Sequence, residues 1–377
     1  MIGLLNARWP QRILALDWRV ILVILGIGAF GCVVLYSAAA GSLTPWAINH
    51  AWRLLVFTGL MLLVSLVPST TWMNLAFPIY GVLLVALVAV EALGAVRGGS
   101  QRWLDLGFIR LQPSELMKLA VVLAIARYQQ YLPLAFVSRL EGLWLPLLLM
   151  ALPAALVLVQ PDLGTAITII AGGLSVLFMA GVSIWFFVVP GVVLVAALPF
   201  LYGLLHDYQK RRVDIFLNPE LDPLGAGYHI TQSKIAIGSG GVTGKGFLNG
   251  SQSHLDYLPE PQTDFAFATM AEEWGMIGGI ALILAYGYVF AWGWRVALRA
   301  PGTFQRLLAG GLSMTIFFYV LINLMMVMGL APVVGIPLPL ISYGGSAMMT
   351  AMVTFGILLG IDRETRRTEA GPVLAPT

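Results

Sequence analysis

The chain reads as an all-α membrane protein, a polytopic bundle of about ten transmembrane helices, and three observations carry that reading. Hydrophobic residues fill 59% of the 377 positions and charged residues only 10%, with a mean hydropathy of +0.88, whereas an average soluble domain is roughly one-quarter charged. Apolar runs of membrane-spanning length, roughly eighteen residues or more, recur from end to end. They do not alternate polar with apolar as barrel strands would, and in hydrocarbon only helices or closed barrels satisfy their backbone polar groups. A single domain, 1–377, with no soluble module at either end, is expected.

The first run follows Arg8, Arg12 and Arg19 and closes on Ala38-Ala39-Ala40, which imitates a cleavable signal. It is longer than a usual signal core and a second membrane segment follows at once, so it reads as a retained helix. The spans in order are Trp18 to Ser37, Ala51 to Val67, Trp72 to Leu93, Pro113 to Tyr131, Leu143 to Val159, Gly164 to Gly181, Trp185 to Leu205, Phe265 to Trp292, Arg306 to Gly329 and Gly344 to Ile361. An even number puts both termini on one side. Arg8, Arg12, Arg19, Arg127, Arg139, Arg295, Arg299, Arg306, Arg363, Arg366 and Arg367 share one face, which should be cytoplasmic; the short loops opposite hold chiefly Arg53, Arg97, Arg102 and Arg110. Both termini are therefore expected on the cytoplasmic side of the membrane, with 362–377 as a cytoplasmic tail. A net charge of +3 is accounted for by this topological excess, and no nucleic-acid partner follows from it. The sole cysteine, Cys32, excludes an intrachain disulfide and a thiolate metal cluster.

One connection breaks the pattern of short loops. Residues 206–263, between the seventh and eighth spans, are polar and rich in Gly and Pro, and the charge argument makes them extracytoplasmic; loops of such length are usually functional or disordered. Within them Tyr228 to Ile237 has helical apolar spacing, as of an amphipathic helix at the lipid surface.

The candidate chemistry sits on the same side. In Leu258-Pro259-Glu260-Pro261-Gln262-Thr263-Asp264-Phe265, Thr263 can cap the eighth helix with Asp264 in its first turn. An acidic residue there is favoured by the helix dipole alone, yet ionisable residues at membrane depth are functional by default, and this carboxylate could accept a proton from a substrate hydroxyl. Glu272 and Glu273, about two turns deeper, either share its cavity or pair with basic neighbours. Glu115 and Lys118, three apart on one face, are either a self-satisfied pair or cavity-lining groups in which Lys118, with Arg102, meets an anion. Asp162, after Pro161, reads first as a helix cap and second as a substrate contact. Lys210-Arg211-Arg212, a cation cluster opposite the topological arginines, suits a phosphate or diphosphate headgroup or ordinary anionic lipid. Gly238 to Gly246 imitates a nucleotide loop but lacks the Ser or Thr after Lys245 and any preceding strand, so it reads as flexible turns. Pro337 to Ser346 reads as a rigid bend with close helix approach, Ser342 and Ser346 being available as donors. The histidines show no metal spacing.

These stretches, in this order, closely resemble the SEDS family of bacterial shape, elongation, division and sporulation proteins. The most telling parts are Asn218-Pro219-Glu220, Asp222 through His229, and Gln232 through Gly238, while Gly244-Lys245-Gly246, Gln252-Ser253 and the Leu-Pro-Glu at Leu258 resemble its elongation branch more than its division branch. The resemblance implies a peptidoglycan glycosyltransferase polymerising lipid II at the outer face of the membrane. It places the family's essential aspartate on Asp264, as acceptor of the 4-hydroxyl proton, and its buried pair on Glu115 and Lys118. It also implies a class B penicillin-binding protein and elongation-complex membrane proteins as partners. Arg102, Lys118, Lys210 and Arg212 could stabilise a leaving diphosphate; a divalent cation could share that work, though no ligand set announces it. Gln262 stands where the family commonly has a basic residue. The rival readings are a lipid II flippase, which would need polar groups reachable from both sides, and a noncatalytic scaffold.

Overall fold

The computed structural model describes residues 9–93, 95–97, 100–105, 110–204, 207–218, 220, 222, 225–255, 257–258 and 260–369. In chain order its elements are α1 (Trp9–Leu14), α2 (Trp18–Ala38), α3 (Trp46–Ser65), α4 (Ser69–Leu93), β1 (Ala95–Arg97), β2 (Ser100–Asp105), β3 (Arg110–Leu111), α5 (Pro113–Tyr131), α6 (Leu140–Val159), α7 (Leu163–Met179), α8 (Trp185–Leu204), α9 (Asp207–Leu217), α10 (Ala226–Ser239), α11 (Ser251–His254), α12 (Ala266–Arg299), α13 (Thr303–Val327) and α14 (Gly345–Glu369). The all-α membrane class holds. Long helices α2 to α8 and α12 to α14 stand where the spans were expected, and seven of them, α2, α3, α4, α6, α12, α13 and α14, are long and apolar enough to cross a membrane.

The helix α5 explains how charge is tolerated in such a bundle. It packs against α4, α6, α7 and α13, so that Met117 through Ala126 are all buried in protein. A helix enclosed by other helices need not be apolar all round, and Glu115 and Lys118 are carried at no lipid-facing position. Elsewhere small residues let backbones meet: a methyl group on Gly356 of α14 would come within 2.7 Å of the Met61 carbonyl of α3, the close approach that membrane interfaces favour. In contrast, α8 exposes Val192, Val193 and Val195, as suits a helix bathed in acyl chains.

Contacts between chain-distant residues define the two ends of the bundle. At one end Glu364 accepts from the Ser69 amide (3.0 Å) and from Gln305 (2.9 Å), and Arg366 pairs with Asp17 and, at 2.9 Å, with Asp362. This is the arginine-rich end. The opposite end carries the sheet, α9 to α11, Asp162, Asp264 and the segment entering α14.

Several expectations change. Between the third and fourth expected spans, β1, β2 and β3 form a small antiparallel sheet with Val96 opposite Gln101 and Leu104 opposite Leu111. Its short alternating strands lie at the end of the bundle, and the helix-length periodicity that dominates this chain masks them. The 206–263 connection holds α9, α10 and α11, and α10 is the helix expected over Tyr228 to Ile237. The apolar face expected at the lipid surface is occupied by protein: α10 packs on α12 and α13 with Ile230, Ser233 and Ala236 buried. The last helix runs on to Glu369, so the first part of the expected tail is helical. Arg8, His206, Pro259, the side chain of Arg212 and residues 370–377 lie outside the described residues.

The glycine run has a definite task. Helix α12 breaks at Gly275 (φ 61°, ψ −159°), which frees backbone groups that would otherwise be bonded along the helix. The 241–246 turn supplies their partners: Lys245 and Gly246 amides donate to the Glu272 and Glu273 carbonyls (3.0 Å each), while the Met276 and Ile277 amides donate to the Gly241 and Val242 carbonyls (2.9 and 3.1 Å). Only glycine fits at 244, where φ is +84° and a Cβ would lie 2.0 Å from the Glu273 carbonyl oxygen. These are ordered turns locked to a membrane helix, not flexible ones.

Candidate active site

Asp264 is placed by the turn that leads into α12. Thr263 does not cap this helix: its hydroxyl donates to Glu260 Oε2 at 3.3 Å, its amide donates to the Glu260 carbonyl at 3.0 Å, and Phe265 is the N-cap residue. The carboxylate therefore sits just ahead of the first turn, not in it. Two tethers hold the segment from outside. The Tyr343 amide donates to the Gln262 carbonyl at 2.7 Å, and Tyr343 itself lies under the Arg53 guanidinium, 4.4 Å from the ring centre. Asn323 of α13, fully buried, donates from Nδ2 to the carbonyls of Asp264 (3.1 Å) and Ile336 (2.7 Å).

The side chain of Asp264 faces Gly335, where an added Cβ would stand 3.4 Å from Oδ2. Its carboxyl is pushed up to about 6, first by withdrawal from water and then by the negative charges of Glu260 and Asp162, with Arg102 pulling the other way. A carboxylate poised near the working pH is suited to general-base chemistry. His229 of α10 lies beside this turn, its ring 6.3 Å from that of Phe265; burial lowers its pKa against the pull of Asp222 and Glu260, which leaves it neutral near pH 7.

Asp162 caps α7, accepting from the Thr165 amide (3.1 Å) and hydroxyl (3.0 Å), and also accepts from Gln112 Nε2 (3.2 Å). Arg102, on β2, donates to the Gln160 and Pro161 carbonyls (2.8 and 2.6 Å) and stands 3.8 Å from Asp162 Oδ2. The Gln112 amide in turn donates to Ser346 Oγ at 3.2 Å. Thus Arg102, Asp162, Gln112 and Ser346 form one connected group, with Asp264 within electrostatic reach of Arg102 and Asp162.

Glu115 and Lys118 form a second, buried group next to this one, the Glu115 amide donating to the Gln112 carbonyl at 3.1 Å. Lys118 is 1% exposed; Nζ bonds Glu115 Oε1 at 2.7 Å and also the Tyr319 hydroxyl, which donates to Glu115 Oε2. The triad joins α5 to α13, with Tyr319 one turn below Asn323. Glu272 and Glu273 pair with basic neighbours: Lys245 lies 2.6 Å from Glu272, and His254 lies 3.8 Å from Glu273. Lys210 lies on α9, which packs on α10, and no described contact brings it to Asp264. Sequence reasoning missed Asn323 and Tyr319, although an Asn and a Tyr in the apolar run 316–328 are the departures from apolarity that signal a role at membrane depth. It also missed Gln112, which only the fold brings to both Asp162 and Ser346. No three His, Cys, Asp or Glu side chains converge as a metal cage among the described residues.

Fold and site together define a polytopic helical membrane protein with a carboxylate-centred polar site at the end opposite its arginine-rich face. The family model described as Cell cycle protein, FTSW_RODA_SPOVE, matches residues 17–367, and the chain belongs to that family. It is 45% identical over 354 residues to the peptidoglycan glycosyltransferase MrdB of Escherichia coli K12, covering 92% of this chain and 93% of that protein. To the stage V sporulation protein E of Bacillus subtilis 168 it is 36% identical over 367 residues, covering 93% and 98%. Among solved structures, a chain from a peptidoglycan synthase complex that coordinates polymerization and crosslinking superposes with a TM-score of 0.79 at 32% identity, covering 93% of this chain and 99% of that one. The rod shape determining protein RodA of Thermus thermophilus gives 0.68 at 30% identity, covering 93% and 98%.

Proposed function

We propose that this protein is a peptidoglycan glycosyltransferase that polymerises lipid II at the outer face of the bacterial cytoplasmic membrane during cell elongation, with both termini inside the cell. The observation that carries the catalytic reading is the Asp264 carboxylate, fixed through its own backbone by Asn323 and lifted to about 6. In the reaction Asp264 takes the proton of the acceptor sugar's 4-hydroxyl as that oxygen bonds to the donor's anomeric carbon. The bond from that carbon to the diphosphate breaks, and the diphosphate leaves with the electron pair. Arg102 lends positive charge to this departure, oriented by Asp162 and the carbonyls it already holds. Lys210 and Arg212 are further cations for the headgroup, carried on α9. Ser346 and Gln112 shape the floor beside α14, and Glu115 with Lys118 holds α5 against α13 beneath it.

A divalent cation could share this work, taking ligands from the substrate's own diphosphate, since no three His, Cys, Asp or Glu side chains converge among the described residues. The partner is a class B penicillin-binding protein, within a set of elongation-complex membrane proteins, since a glycan strand made at this face needs crosslinking at the same face. The resemblance to a chain from a synthase complex supports this.

Purified protein given labelled lipid II tests the reading. Glycan strands form with the native chain, and Asp264→Asn lowers their rate by roughly 100- to 10,000-fold, the usual contribution of a general base. Undiminished polymer from that variant, or transbilayer movement of lipid II without polymer from the native chain, would overturn it.

A further inference from the structure

At the arginine-rich end, α4 and α5 form an open groove of about 200 Å³ lined by Phe77, Arg127, Tyr128, Tyr131 and Leu132. Arg127 stacks on Tyr131, 4.3 Å from the ring centre. Its Nη1 is buried without a hydrogen-bond partner among the described residues. Arg127 lines the groove, and its guanidinium carries donors in a planar fork, a geometry matched to an acceptor with several oxygens.

The surface leading away from the groove says what carries that acceptor. From Phe77, the positions Gly81, Val85 and Val88 lie one above another on α4 by helical spacing, running from the arginine-rich end toward the middle of the bundle. Val85 and Val88 are exposed. A Cβ at Gly81 would meet nothing within 4 Å, so the stripe has a shallow dip directly beyond the groove. An acyl chain fits such a track, and a free phosphate has no use for it.

We infer that this groove binds the phosphodiester headgroup of an anionic glycerophospholipid, with Arg127 as its cation, Tyr128 and Tyr131 as its walls and the α4 stripe as the seat of one acyl chain. Charge-assisted bonds from a guanidinium fork to phosphate oxygens are the strong kind, and basic pockets between helices on the cytoplasmic side are the expected sites for such headgroups. The site is remote from Asp264 and does not depend on the proposed polymerase activity.

The test uses the full-length chain, delipidated in detergent and titrated with dioleoyl phosphatidylglycerol, with bound lipid counted by native mass spectrometry. One phosphatidylglycerol is retained at lipid levels where phosphatidylcholine is not. Arg127→Gln weakens that retention about tenfold, and Arg127→Lys weakens it less. Gly81→Leu, which fills the track without altering charge, also weakens it, and this variant decides the matter if Arg127→Gln does not fold. Equal retention of phosphatidylcholine, unchanged retention in Arg127→Gln and Gly81→Leu, or full displacement of the lipid by millimolar inorganic phosphate would overturn the assignment, the last by making it a site for the free anion.

Discussion

Asp264 and Asn323 divide one task between side chain and backbone. The carboxylate supplies the basicity; the amide fixes where its main chain stands by bonding the carbonyls of both Asp264 and Ile336. With its pKa lifted to about 6, Asp264 is about nine-tenths ionised at pH 7 and about half ionised at pH 6. Polymerisation is therefore expected to fall as pH drops through about 6, and a pH–rate profile with no inflection near that value would count against a base of this pKa. The sign for stability is the opposite. A carboxyl raised in the fold favours the folded state at low pH, and that contribution is lost as pH rises through about 6. Asn323→Leu leaves two carbonyls without their donor, a loss of about 1–3 kcal/mol where the groups are buried. Its expected signature is a lowered kcat with a smaller change in KM, together with a displaced pH midpoint, while Asn323→Ala with an unchanged midpoint would reduce the residue to a packing role.

Elements in this protein are completed by segments far away in the chain. The break in α12 at Gly275 is bridged by the 241–246 turn, which also brings Lys245 to Glu272 at 2.6 Å, so the 206–263 connection and a membrane helix form one unit. Gly244→Val forces a branched side chain into a left-handed backbone position against the Glu273 carbonyl. At least about 1–2 kcal/mol of backbone strain follows, expected as a lowered melting temperature and increased proteolysis of the 240–255 segment; an unaltered melt would show that the turn is not held as described. The Glu115–Lys118–Tyr319 triad works similarly between α5 and α13. Buried pairs are weak sources of net stability but are costly to halve, and here all three partners are inside the bundle.

The whole molecule has two chemically different ends. Asp17, Arg366, Glu364 and Gln305 tie one end together, and the Asp264 group occupies the other. Because Cys32 is the sole cysteine, a Cys32→Ser background allows topology to be read directly. In intact cells an impermeant thiol reagent should label Thr243→Cys and spare Thr368→Cys; the reverse pattern would put the proposed reaction on the wrong side of the membrane. Much of this plan was legible in the chain itself. Helix positions and the arginine-rich face follow from hydropathy and charge, which are local sums over neighbouring residues and survive without coordinates. The acidic residue at the entry to α12 and the connection ahead of it stood out for the same reason. Other features depend on contacts between distant residues. No local pattern could say that Gln112 would join Asp162 to Ser346, that Tyr319 would close over Glu115 and Lys118, or that glycines 241 to 246 would bridge a break at Gly275. Sequence by itself determined the class, the order of the helices and which end is rich in arginine. Only tertiary packing decided which polar groups are spent on one another and which remain for a substrate, because a hydrogen bond within the bundle depends on ångström distances between helices that hydropathy does not encode.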